Sequence, residues 1–305
     1  MKHILFTPIY QERVWGGTNF ESKLGRVLPD DKVIGESWEI VDRPEAQSTT
    51  SAGKTIRQLI AADPEGIMGA GWPADRPFPI LVKWLDCQEQ PSLQVHPPTR
   101  IAPSLGGEPK TEVWYFLDSL PGASIYAGLK KGVTREEFEA LLESGNVESA
   151  LHQVPVAAGE SIFIPSGRLH AIGEGNVIIE VQQNSDTTYR VFDWNRVGLD
   201  GQPRALHIKE SMASIDFGDF EPRVQSASES RIAECAFFHI EKVRVSTPMD
   251  LRPQGRFALA VVVEGVSMAG SSIVAYYHMD ETVRSANLEI RGLFHRRVRN
   301  VVVVI

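Results

Sequence analysis

The chain has 305 residues, of which 42% are hydrophobic and 23% charged, with a net charge of −8. This length suggests one large domain or two modest ones with room for a sizeable core, and the acidic balance argues against a general nucleic-acid binder. No apolar run approaches the roughly 20 residues that span a bilayer, and the apolar run in "MKHILFTPIYQERVWGG" is too short for a signal peptide. Cys87 and Cys235 are far apart and outside any CxxC spacing, so neither a disulfide framework nor a cysteine zinc site is indicated. The expectation is a cytoplasmic protein without a membrane or nucleic-acid partner.

Taken in chain order, "KTIRQLIAADPEGIMG" (54–69) places Ile56, Leu59 and Ile60 at helical spacing. "FPILVKWLD" (78–86) reads as a strand and is followed by "PSLQVHPP" (91–98), where Gln94 and His96 are two residues apart and share a face. In "EPKTEVWYFLD" (108–118), alternation puts Lys110, Glu112 and Trp114 on one face and Thr111, Val113 and Tyr115 on the other. "TREEFEALLESGNVESALHQV" (134–154) reads as helical. Thr134 and Glu137 carry a capping-box signature, Phe138, Leu141 and Leu142 form the stripe, and Gly145 is placed to stop its first half. "GESIFIPSGRLHAIG" (159–173) runs a strand into the Pro165–Gly167 turn, which aims His170 inward. "VIIEVQQ" (177–183) and "ALAVVVEG" (258–265) are further strands. The polar stretch 216–231 is the expected linker to a shorter second unit, and the terminal "VVVVI" reads as a buried strand. Many short strands favour a sandwich or barrel.

The spacing Gly159, Pro165, Gly167, His170 matches the second metal-binding motif of the cupin barrels. Lone histidines are usually structural, but His96 and His170 both sit at strand–turn junctions. If the Lys110–Glu112 face points into a barrel, two charges enter the interior, where unpaired charge is costly; the bland reading is an exposed edge strand with a surface ion pair. On the functional reading Gln94, His96, Glu112 and His170 make an N2O2 ligand set that suits Zn²⁺, with iron, cobalt or manganese as other fits, and Lys110 meets an anionic substrate. In "EVQQNSDTTYRVFDWNR" (180–196) a polar run separates two apolar strands. It reads as a solvated hairpin by its turn chemistry, yet Glu180 and Arg190 flank it, and the guanidinium fork of Arg190 suits a phosphate or an oxyanion.

Together "WGG" (15–17), "IGESWEI" (34–40), "LVKWLDCQEQPSLQVHPP" (81–98), "KTEVWYFLD" (110–118), "IPSGRLHAIG" (164–173) and "QQNSDTTYRVFDWNR" (182–196) resemble, in order, the type I mannose-6-phosphate isomerases in their short form. The resemblance implies a mainly β fold: a cupin jelly-roll barrel with a few helices over 1–225, carrying the metal site, and a smaller, atypical cupin-like β domain over 226–305. It implies one zinc ion per chain held by Gln94, His96, Glu112 and His170, and Arg190 as the active-site arginine. Lys110 and Glu180 fall at catalytic positions, and Ser92, Lys83 and Asp186 at substrate-binding ones. The chain departs from the family after "GESWE", where "IVDRPEA" follows, and in the tail beyond residue 270, whose Arg296, Arg297 and Arg299 read as a solvated face rather than an anion patch.

The function implied is interconversion of mannose 6-phosphate and fructose 6-phosphate through an enediol(ate), by a monomer or homodimer whose ligand is a phosphosugar. The rivals are an Fe(II) cupin dioxygenase on the same ligand set and a non-catalytic sugar-binding cupin. Gln94 as a fourth ligand and the basic pair Lys110 and Arg190 speak against the first. Lys110, Glu180 and Arg190 standing beside the ligands speak against the second.

Overall fold

A computed structural model describes residues 3–30, 32–244, 257–264, 274–277 and 300–304. Two antiparallel sheets form its centre. One has six strands in the order Ser161–Ile164, Glu112–Ser119, Asn176–Gln183, Ile80–Cys87, Ile34–Ile40 and Ile9–Gly17. The other has five: Leu151–Pro155, Ser124–Leu129, His170–Ile172, Leu93–Val95 and Tyr189–Phe192. Leu85, Cys87, Trp114, Phe116 and Ile178 of the first pack with Ile125, Ala127 and Ile172 of the second. This is the interior of the jelly-roll barrel that the sequence leads one to expect.

Every residue of Ile80–Cys87 is buried, because the six-stranded sheet is covered on both faces. Alternation sends Val82, Trp84, Val113, Tyr115, Ile179 and Val181 away from the barrel interior. There they meet Ile232, Ile240, Leu259 and Val261, with Phe20, Ile56 and Ile60 from short helices. The intervening residues Lys83, Glu112 and Glu180 therefore face the barrel interior.

The outer face of the five-stranded sheet is closed by the helices Arg135–Glu143 and Ile208–Ser214, which contribute Phe138 and Met212. Within the helical stretch expected over 134–154 the α-helix ends at Glu143, Gly145 takes a left-handed φ of 71°, a 3-10 turn follows over Val147–Ala150, and Leu151–Pro155 is instead a strand paired with Ser124–Leu129. Thr134 accepts a hydrogen bond from the Glu137 amide at 3.2 Å, which is one half of the expected box. The reciprocal box forms at Thr55 and Gln58. It opens the first of two helices, Ile56–Ala62 and Pro64–Met68, into which the expected 54–69 helix divides at Asp63. Two other helices, Asn19–Leu24 and Ile208–Ser214, span under two turns each, too short to show a periodic signal.

A third, seven-stranded sheet has the order Arg231–Glu234, His239–Arg244, Asn300–Val304, Ala258–Glu264, Val274–Tyr277, His3–Thr7 and Thr49–Thr50. Of a second barrel, the described residues show this one sheet, and it takes two strands from the N-terminal side of residue 225. The terminal valines form a strand as expected, paired on both sides. Arg296, Arg297 and Arg299 lie outside the described residues. The 216–231 stretch is irregular yet fastened to the barrel. Leu129 N–H donates to the Asp219 carbonyl at 3.0 Å, Gln225 N–H to the Ser161 carbonyl at 2.7 Å, and Arg168 pairs with Asp219 at 2.7 Å. Among the described residues no helix is long and apolar enough to cross a membrane.

Candidate active site

His96, Glu112 and His170 come together in the barrel interior, each 0% exposed, with one potential ligand atom from each within 4.8 Å of the others. His96 lies just past the strand Leu93–Val95, Glu112 opens its own strand, and His170 opens the strand after the Pro165–Gly167 turn. The two imidazoles are tilted against each other with centroids 4.8 Å apart, and the Trp114 ring abuts His170 edge-on. Gln94 is directly opposite His170 on the neighbouring strand, so the two share a face.

The hydrogen bonds fix the imidazole tautomers. His96 Nδ1 contacts the Thr187 carbonyl at 2.9 Å and His170 Nδ1 the Arg168 carbonyl at 2.8 Å. A carbonyl only accepts, so each Nδ1 carries the proton. Burial, helped by the Lys110 charge, lowers the His96 pKa to about 4, and burial lowers that of His170. At neutral pH each Nε2 is therefore a bare lone pair without a hydrogen-bond partner. Those lone pairs face Glu112 oxygens at 3.2 and 3.5 Å, and Glu112 is held well below its ordinary pKa, against burial, chiefly by Lys110. Lone pairs aimed at a carboxylate repel unless a cation lies between them. The donor set, with the Thr187 and Arg168 carbonyls orienting the two imidazoles, fits a divalent metal ion.

Beside this cluster opens a cleft of about 630 Å³ lined by Lys83, Ser92, Gln94, Lys110, Glu180, Asp186 and Arg190. The structure thus brings all ten residues singled out in the sequence to one place: seven on the cleft wall and three buried next to it. Lys110 Nζ is 2.9 Å from Glu112 and 3.5 Å from Glu180, and Lys83 Nζ is 3.1 Å from Glu180. Trp114 Nε1 donates to Glu180 at 3.1 Å.

Glu36 and Arg13, which the sequence reading left without a role, extend this row. Glu36 lies 3.9 Å from Lys83, accepts from Trp38 Nε1 at 2.7 Å, and accepts from Arg13 Nε and Nη2 at 3.0 and 3.2 Å. Burial would raise the Glu36 pKa, but Lys83 and Arg13 together with these hydrogen bonds bring it to about 2. Burial likewise opposes the Lys83 charge, and Glu180, Glu36 and Asp186 override it and raise its pKa. A signal for Glu36 was present: Glu36-x-Trp38 repeats the spacing of Glu112-x-Trp114, and both pairs share a strand face.

The fold and the buried cluster define a cupin barrel with a two-histidine, one-carboxylate centre open to a charged cleft. Residues 4–114 match the family model for the type I phosphomannose isomerase catalytic domain. Over 279 residues the chain is 34% identical to the probable mannose-6-phosphate isomerase GmuF of Bacillus subtilis, covering 87% of each. It is also 34% identical over 281 residues to mannose-6-phosphate isomerase ManA of the same organism, covering 86% of this chain and 85% of ManA. The crystal structure of a mannose 6-phosphate isomerase from Bacillus subtilis superposes over 100% of both chains with a TM-score of 0.83 and 26% identity. The chain belongs to the type I phosphomannose isomerase family.

The Glu36 environment yields a prediction with a definite sign. A carboxylate with a depressed folded-state pKa contributes stability above its unfolded value of 4.5 and loses it as pH falls toward 2. Glu36→Gln should cost on the order of 3 kcal/mol at pH 7. The gap to the parent chain should narrow at pH 3, as read by urea denaturation at both values. An equal gap at the two pH values would show that Glu36 does not carry this charge coupling.

Proposed function

We propose that the chain interconverts mannose 6-phosphate and fructose 6-phosphate through an enediol(ate), using one zinc ion held by Gln94, His96, Glu112 and His170. The supporting observation is the juxtaposition of the metal-fitting cluster with Lys110 and Glu180 on one cleft wall. The relatives carry mannose-6-phosphate isomerase names, which favours this reading over a dioxygenase or a non-catalytic sugar binder.

The reaction moves a proton between C1 and C2 of the sugar. When bound, the ion supplies Lewis-acid stabilisation of the oxygen charge that develops. Arg190 adds preorganised positive charge from the neighbouring strand. Its Nη1 is fixed on the Ala205 carbonyl at 2.7 Å, while its Nε is buried without a partner. Glu180 is the base that takes the carbon-bound proton. Trp114 and Lys83 orient it, and Lys110 sits between it and Glu112. Ser92, Lys83 and Asp186 line the cleft where sugar hydroxyls would lie.

The metal assignment predicts about one divalent ion per chain as purified, measurable by elemental analysis. His96→Ala and His170→Ala should each lose it; full occupancy in both would refute the site.

Arg190→Lys keeps the charge and loses the planar fork. A fall in kcat of roughly a hundredfold is expected, the scale of one lost oxyanion donor, with metal retained. Parent-like kinetics would make Arg190 a structural residue.

In D2O, turnover should place deuterium at C1 or C2, in full or in part depending on how far the base exchanges with solvent. Proton NMR of the sugars reads this directly. Glu180→Gln should slow exchange and isomerisation together. No deuterium after prolonged turnover would count against the enediol route, and unchanged rates in the variant would move the base role to Lys110 or to a water.

A further inference from the structure

One group of charges in the cleft is explained neither by the metal cluster nor by the row that ends in Arg13. Arg190 and Arg204 both line the cleft. Arg204 is clamped from behind by Asp193, only 5% exposed, whose Oδ2 accepts from Arg204 Nε at 2.6 Å and whose Oδ1 accepts from Arg204 Nη2. The same carboxylate accepts from Arg196 Nε and Nη2 at 3.2 and 3.0 Å. Asp193 is thus shared by two guanidiniums, and Arg190 forms no ion pair among the described residues. Burial, and next the Arg204 charge, lower the Arg190 pKa, and Asp193 opposes them. Asp200 also lines the cleft, but it is exposed and accepts from the Gln202 amide of its own turn at 3.0 Å. Arg196 also reaches Glu89 at 4.0 Å, so at this end Arg190 is the cleft guanidinium without an ion pair among the described residues.

The loop that presents Arg204 is held in place. Trp194 and Asn195 adopt left-handed φ values of 54° and 56°, a conformation other contacts must impose. Trp194 Nε1 donates to the Pro91 carbonyl at 2.7 Å, and its ring stacks on Tyr126. Register gives the direction: His170 is opposite Gln94, and Gln94 is opposite Arg190. Two strand spacings, about 10 Å, therefore separate the backbone of a metal-fitting histidine from that of Arg190 at the sheet's edge strand. A hexose with its reacting carbons beside the metal cluster would extend its far end along this line.

We propose that Arg204, pinned by Asp193, receives the phosphate of the substrate, and that this pair sets the preference for phosphorylated over free sugar. The inference rests on the isomerase reading above and adds a specificity-determining arginine with its positioning carboxylate. Asp193 occupies Nε and Nη2 of Arg204, and Nη1 is the guanidinium nitrogen that Asp193 does not take. Arg190 stands between the phosphate end and the metal end.

The test uses the full-length, metal-loaded chain with Arg204→Gln, Arg204→Lys and Asp193→Asn, assayed with mannose 6-phosphate and with free mannose. Inorganic phosphate affinity is measured alongside by calorimetry. Arg204→Gln should weaken phosphate binding and raise KM for mannose 6-phosphate by roughly 10- to 100-fold, the scale of charge-assisted hydrogen bonds. It should change kcat less than KM and lower the ratio of kcat/KM for the phosphorylated over the free sugar. Arg204→Lys should recover part of the phosphate affinity, and Asp193→Asn should shift the same ratio in the same direction. Equal loss toward both sugars, or phosphate affinity indifferent to Arg204, overturns the proposal. A parent chain that binds phosphate through Arg204 yet leaves mannose 6-phosphate unchanged refutes the isomerase reading and supports the clamp. A parent chain that isomerises but ignores Arg204 refutes the clamp alone.

Discussion

The interior of this barrel depends on an alternation of charge across adjacent strands. Arg13, Glu36, Lys83, Glu180, Lys110 and Glu112 form a row of plus and minus across the six-stranded sheet. In a sheet covered on both faces, any one of these charges alone would cost several kcal/mol. Strands about 4.8 Å apart bring Arg13, Glu36, Lys83 and Glu180 next to charges of opposite sign, and Lys110, two residues before Glu112 on the same segment, bridges Glu180 and Glu112. Two tryptophans complete the arrangement by donating to Glu36 and Glu180, at Glu180 to the oxygen that neither lysine faces. Polar groups can occupy the barrel centre because the row is continuous, and removal of an interior member leaves its two neighbours unmatched.

The apolar packing follows from the same sheet. Residues that alternate with the charged ones point away from the barrel interior and bury Trp84, Ile179 and Val181 against strands of the seven-stranded sheet. That sheet therefore acts on the site at one remove: it covers the reverse face of the strands carrying Lys83, Glu112 and Glu180 and fixes their position. The strand His3–Thr7 belongs to it, so the chain's start and its C-terminal part jointly back the catalytic sheet.

Much of the site was legible because its signals are local. Period-two alternation placed Lys110 with Glu112 and Gln94 with His96, and a Pro–Gly turn marked His170. Burial of Lys110, Glu112, His96 and His170 is what separates them from polar residues on an exposed strand. Glu36 and Arg13 were less visible, since a charge on a strand reads as solvent-facing until the sheet covering that face is known. Arg204 and Asp193 sit in or next to an irregular loop, where neither period applies and only tertiary contact shows that one pins the other. The split of the expected 134–154 helix has the same origin: Leu151 and Val154 have apolar character that suits either element, and pairing with Ser124–Leu129 decided for strand. Strand pairing from residue 3 to residue 277 is a long-range choice that no local pattern encodes.

The balance of charge also shows where the protein is incomplete without a ligand. The row from Arg13 to Glu112 compensates itself and holds its geometry with protein groups alone. At its metal end, two imidazole lone pairs converge on a carboxylate, an arrangement that needs a cation to be favourable. At the edge strand, Arg190 has a buried unpartnered Nε and a second arginine for a neighbour, an arrangement that calls for an anion. A molecule that answers both demands has an electron-rich oxygen at one end and a phosphate at the other, which is the description of a sugar phosphate. On the proposed reading, the polarity of the cleft sets which way round the substrate lies: reacting carbons beside the histidines, Glu180 and Lys110, phosphate toward Arg204, and Arg190 between the two ends.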